Sequence, residues 1–117
     1  MLQGRQVRVL TKYVTQYANP LQVLRGEALT VGREDDEFPG WRWCKAADGR
    51  EGWVPEEFLS SRDTQATILC DYSAKELSVE PGELLRITDT RHDWVLVANS
   101  HGEAGWVPVS QLEKTDH

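Results

Sequence analysis

Apolar and polar residues alternate in short stretches along this chain, and the stretches come in two sets. Leu29 and Val31 share a phase in "EALTVGR", as Leu85 and Ile87 do in "ELLRITDT". A period of two puts one residue type on each face of an extended strand. "QVRVLTK" and "ATILCD" are rich in β-branched and aliphatic residues, "WRWCKAA" and "WVLVANS" read as further strands, and "GWVP" occurs twice. Proline ends that last strand, because it has no N–H to give to a ladder. Asp48-Gly49 signals a tight hairpin, since glycine accepts positive φ. No window has a helical period. The pattern predicts an all-β chain of two small β-barrels, about five strands each.

The two sets are copies. "WRWCKAADGREGWVPEEFL" (41–59) lies over "WVLVANSHGEAGWVPVSQL" (94–112) at an offset of 53, with seven of nineteen positions identical. Upstream, "LQVLRGEALTV" matches "LSVEPGELLRI" at offset 56, and "VLTKY" matches "ILCDY" at offset 59. The offset changes only at turn signals, as expected when insertions fall in loops. A long period seen twice predicts two domains, 1–61 and 62–117, joined at the polar stretch "SSRDTQ" (60–65). A linker this short keeps the two close.

Composition narrows the function. The net charge of −6 comes from the second half: residues 1–62 hold nine Lys/Arg and nine Asp/Glu, and residues 63–117 hold four and ten. With no basic stripe, nucleic acid and acidic membrane surfaces are not expected partners. No apolar run approaches the ~20 residues of a membrane span, and "MLQGRQVRVLTKY" has no signal-peptide core. The expected location is cytoplasmic. Two cysteines, Cys44 and Cys70, are too few for a disulfide framework. His92, His101 and His117 have no ligand spacing with them, so no metal site is expected. No nucleophile–base pair, phosphate-cradling loop or carboxylate dyad stands out, so no catalytic residue or cofactor is expected.

In order and spacing, "ILCDY", "ELSVEPGE", "DWVLVA" and "GEAGWVPVSQL" resemble the motifs of the SH3 domain family. The first copy repeats them as "VLTKY", "PLQVLRGE", "GWRWCKA" and "GREGWVPEEFL". The resemblance covers nearly the whole chain and implies tandem SH3-like domains, acting as an adaptor for proline-rich peptides. The implied site is a shallow aromatic groove for a polyproline II helix, which is stiff and binds at small entropic cost.

Carried onto the first copy, the resemblance implies a groove of Tyr13, Trp41, Pro55 and Phe58, with Thr11 in place of one tyrosine and Tyr17 as a possible addition. The "EDDE" stretch, with Asp35, Asp36 and Glu37, is the candidate partner for a ligand cation. Carried onto the second copy, it implies Tyr72, Trp94 and Pro108, while Cys70 and Gln111 replace aromatics. The first copy is therefore the expected binder and the second is expected to be degenerate or structural.

Trp41 and Trp94 lie three residues before Cys44 and Val97, which fall at buried positions, so both indoles are expected on the opposite, exposed face. Trp43 is assigned to packing, Trp53 and Trp106 to shielding the outside of each barrel, and Cys44 to the core. Two other readings have their own discriminating observations. A bacterial SH3-like binder of cell-wall peptidoglycan would be favoured by a signal peptide, and a self-associating assembly protein by a stable oligomer that buries Trp41. The groove reading expects a monomer or weak self-association.

Overall fold

In the computed structural model, which describes residues 5–15 and 19–113, ten short strands follow one another. The first repeat supplies β1 (Gln6–Arg8), β2 (Gln22–Val23), β3 (Ala28–Glu34), β4 (Trp41–Ala46) and β5 (Glu51–Pro55). The second supplies β6 (Gln65–Thr67), β7 (Tyr72–Ser73), β8 (Leu84–Arg91), β9 (Trp94–Ala98) and β10 (Ala104–Pro108). Each repeat ends in a single 3-10 turn, Glu56–Phe58 or Val109–Gln111. Five strands per repeat is the number its pattern predicts. Leu29 and Val31 of β3, and Leu85 and Ile87 of β8, point into the core while their neighbours face solvent. Gly49, at φ 90°, makes the turn between β4 and β5.

The strands pair into two four-stranded sheets, β1-β8-β9-β10 and β5-β4-β3-β6, and a two-stranded ribbon β2-β7. The sheets are open rather than closed into barrels. Both contain an exchange. β1 belongs to the first repeat but pairs with β8 of the second, and β6 of the second pairs with β3 of the first. The ribbon likewise joins the repeats, with Val23 opposite Tyr72.

The linker explains the exchange. Leu59 bridges Ile68, Ser60 N–H donates to Thr67 O at 3.0 Å, and Thr67 N–H donates to Ser60 Oγ at 2.9 Å. Asp63 N–H closes the tip on Ser61 Oγ at 3.0 Å. "SSRDTQ" is thus a hairpin turn. It folds the opening strand of the second repeat straight back along the end of the first, where β6 fills the free edge of β3. With that edge taken, the first repeat's opening strand pairs with β8 instead, in the register Gln6↔Arg86, Val7↔Leu85 and Arg8↔Leu84.

Two compact units result: residues 5–15 with 76–113, and residues 19–75. The sequence division at 1–61 and 62–117 marks the repeats, and the compact units are divided differently because the opening strands change places. The first unit has a core of Val7, Val9, Leu77, Val79, Leu85, Ile87, Val95, Val97, Val107 and Leu112. Val7 and Val9 are each 1% exposed, and burying a valine side chain contributes roughly 1.5 kcal/mol or more. In the 19–75 unit Leu21, Val23, Leu29, Val31, Cys44, Val54, Leu59 and Ile68 are buried.

Candidate functional site

The repeated "GWVP" strand makes room for the residues that build each site. An added Cβ on Gly52 would lie 2.6 Å from Ala74 Cβ, and one on Gly105 would lie 2.8 Å from Leu77 N. Only glycine leaves space for the chain that crosses there. That crossing chain is held by backbone bonds: Ala74 N–H to Leu21 O at 2.9 Å in one unit, Leu77 N–H to Trp106 O at 3.1 Å in the other.

In the unit of 5–15 with 76–113, the crossing chain carries Glu76 to Tyr13. Tyr13 is fixed by a reciprocal backbone pair with Val79, at 3.0 and 2.9 Å. Its hydroxyl donates to Glu76 Oε1 at 2.5 Å. Its ring meets Trp94 edge to face, with centroids 5.9 Å apart, a favoured aromatic geometry. Trp94 faces Pro108 across β9 and β10, and Val109 N–H donates to Asp93 O at 3.0 Å, tying the turn before Trp94 to the 3-10 turn. Thr11 and Gln111 join by a hydrogen bond from the Thr11 hydroxyl to the Gln111 side-chain carbonyl. Tyr13, Glu76, Trp94 and Gln111 are half-buried, and Pro108 is buried. Lys12 pairs with Glu80 at 3.8 Å, but both ends are well exposed, so that pair contributes little.

In the 19–75 unit the same positions are filled differently. Phe58 meets Tyr72 edge to face at 5.7 Å, and Leu69 N–H donates to Phe58 O at 2.8 Å. Tyr72 donates its hydroxyl to Trp53 O at 2.7 Å. Trp41 faces Pro55 across β4 and β5. Trp41 is 4% exposed and Tyr72 7%, and Pro55 is buried too, which leaves Phe58 as the half-buried member.

The set expected from the first repeat is divided between the two compact units. Trp41, Pro55 and Phe58 share a unit with Tyr72, and Tyr13 joins Trp94 and Pro108. Tyr17 lies outside the described residues. The expected exposed indole at Trp41 is corrected to a buried one; half-buried Trp94 keeps part of its surface in solvent. Trp106, expected to shield the outside, is 3% exposed, because residues 76 and 77 run alongside it. Trp43 does pack, edge to face on Trp53 at 5.0 Å, with Arg33 stacked 4.9 Å from the Trp53 ring.

The acidic loop before Trp41 has local work. Glu34 accepts Gly40 N–H at 2.9 Å, Asp35 Oδ1 accepts Glu37 N–H at 3.0 Å, and Asp35 N–H donates to Trp41 O at 2.8 Å. Asp36 and Glu37 are exposed. Glu76 is a carboxylate that does reach an aromatic of the expected set, Tyr13. Its signal in the sequence was its place four residues after Tyr72; its meeting with Tyr13 depends on the exchange. Among the described residues, no three His, Cys, Asp or Glu side chains are placed to hold a metal ion. Burial pushes the Cys44 thiol up to about 12, against a smaller lowering by Arg42. Hydrogen bonds from Arg50 hold the Asp48 carboxyl below its usual range.

Comparison with known proteins agrees with the motif pattern. Residues 7–62 match the variant SH3 domain family, and residues 71–114 match the bacterial SH3 domain family. The chain is 39% identical over 56 residues to the SH3 domain-containing protein Dlish of Drosophila melanogaster, a stretch covering 48% of this chain and 15% of that protein. SH3 domains are in general protein-interaction modules without catalysis. Two family matches in tandem, on an all-β fold whose strands follow the repeat, place this chain in the SH3 domain family.

Proposed function

We propose that this chain is a non-catalytic interaction module that takes an extended, proline-containing peptide on the half-buried rings of Tyr13 and Trp94, with buried Pro108 opposite Trp94 as their support. The observation that carries this reading is the contrast in exposure between the two sets. Tyr13 and Trp94 are half-buried, whereas Tyr72 and Trp41 are 7% and 4% exposed. A peptide on Tyr13 and Trp94 stacks on two rings already braced against each other. Glu76 and Asp93 flank them in the chain or by hydrogen bond, so the preferred ligand carries Arg or Lys beside its proline. A shallow groove of this kind binds at about micromolar Kd.

Titrating the labelled full chain with Arg-containing proline-rich peptides tests the reading. Amide and indole shifts are expected at Tyr13 and Trp94, and Trp94→Ala is expected to weaken binding at least about tenfold, since it removes an interface aromatic. Shifts confined to Trp41 and Phe58, or no shift with any peptide of the set, contradict it.

A further inference from the structure

Residues 5–15 are joined through the chain to 76–113, the rest of their unit, only by way of the other unit, 19–75. The attachment is noncovalent throughout: the β1–β8 pairing, the bridges of Val9 to Leu112 and Tyr13 to Val79, and the burial of Val7 and Val9. None of these contacts depends on which copy of the chain supplies the strand. The chain already shows this indifference to origin, because each repeat's later strands accept the opening strand of the other repeat. Recognition rests on alternation, Val7 and Val9 in one arm and Ala66 and Ile68 in the other.

We infer that residues 5–15 also exchange between two copies of this chain, forming a dimer in which each copy's arm fills the β8 edge of the other. Every backbone bond and both buried valines of the arm are kept, and each copy's 19–75 unit is unchanged. The contact is reciprocal and closed, as in domain swapping. The tethered arm competes at an effective concentration on the order of millimolar, so dilute protein is monomeric. Exchange from the folded monomer is slow, since withdrawing the arm bares Val7 and Val9 and leaves β8 backbone groups unpaired. Refolding at high concentration bypasses that barrier.

Gln6 and Arg86 provide the test. They are exposed and directly opposite. Bonds from Ile87 N–H to Arg5 O and from Val9 N–H to Glu83 O flank them on alternate pairs, so theirs is a non-hydrogen-bonded pair, with Cα atoms about 4.5 Å apart and within disulfide reach. Full chains carry Gln6→Cys, Arg86→Cys or both, each with Cys70→Ser. The doubly substituted chain, refolded dilute and oxidised, is expected to close on itself at 13.3 kDa. The two single variants, unfolded together and refolded at about 1 mM, are expected to yield roughly tenfold more mixed disulfide than when refolded at about 10 μM. A control pairing Gln6→Cys with Lys45→Cys, on the other unit, measures chance collision. Mixed disulfide no more abundant than in that control overturns the exchange between copies. Failure of the doubly substituted chain to close overturns the β1–β8 pairing on which it rests.

Discussion

Thr11 donates its hydroxyl to the side-chain carbonyl of Gln111, 100 positions further along the chain. The backbone agrees, with Leu10 N–H and Thr11 N–H both directed at Gln111 O, at 2.8 and 3.3 Å. Each residue is a polar departure from an aromatic pattern, one in the first repeat and one in the second. The exchange of opening strands makes them partners. In the 19–75 unit the position matching Gln111 is Phe58, and it meets Tyr72. Gln111 is therefore better understood with Thr11 than as a lost aromatic of its own repeat.

A double-mutant cycle reads that partnership. Thr11→Ala and Gln111→Ala are expected to be coupled by about 0.5–1 kcal/mol, the size of an exposed neutral hydrogen bond. Thr11→Ala and Phe58→Ala, in separate compact units, are expected to add within about 0.5 kcal/mol, as independent sites do. Urea unfolding of the full chain measures both. Coupling of Thr11 to Phe58 without coupling to Gln111 would contradict the exchange.

Gly52→Ala is expected to destabilise the 19–75 unit by about 1–3 kcal/mol, the range for overpacking a tight contact. Its new methyl would meet Ala74 Cβ at 2.6 Å, and Ala74 arrives from the second repeat. Pairing it with Ala74→Gly is expected to restore part of the loss. Thermal unfolding compares the three variants. Full additivity would mean that Gly52 and Ala74 do not touch.

The two thiols should separate chemically. Cys44 is buried, and burial raises its thiol from 9.0 to about 12, whereas Cys70 is partly accessible. One thiol is expected to react with a disulfide reagent in the folded chain, and two after denaturation. The raised value also makes stability pH-dependent. An unfolded cysteine loses its proton near 9.0 while the folded one keeps it, so this contribution is complete below that pH and is lost as pH rises toward about 12. Cys44→Ala is expected to flatten that alkaline decline, which denaturant midpoints across the range will show.

The alternation of β3 and β8, the Asp48-Gly49 hairpin and the buried Cys44 were legible in the sequence, because each depends on neighbours within a few residues, and the repeat was legible from its near-constant offset. The pairing of the opening strands was not. Val7 and Val9 present the same face as Ala66 and Ile68, so either arm suits either sheet by pattern alone. The deciding feature was the length of "SSRDTQ", read as a linker but short enough to close a hairpin from Leu59 to Ile68. The groove assignment followed the arms. Tyr13 was grouped with Trp41 by repeat membership, and the exchange set it beside Trp94. The burial of Trp106 has a different origin, a crossing of residues 76 and 77 from its own repeat, and nothing local to "GWVP" announces the chain that runs past it.

A contiguous piece should now fold where the repeat boundary would not have suggested one. Residues 17–75 contain all of the sheet β5-β4-β3-β6 and the ribbon β2-β7. That fragment is expected to give dispersed amide resonances and a cooperative thermal transition on its own. Residues 76–113 alone lack β1 and the two buried valines, and are expected to remain unfolded until the 5–15 peptide is added. Circular dichroism with and without the peptide decides both.

Ring-to-ring nuclear Overhauser effects in the full-length chain test the strand exchange most directly. With Tyr13 and Trp94 at 5.9 Å, and Phe58 and Tyr72 at 5.7 Å, cross-peaks are expected between the aromatic protons of each of these pairs. Cross-peaks from Tyr13 to Trp41 or Phe58, with none to Trp94, would place each opening strand in its own repeat and contradict the exchange.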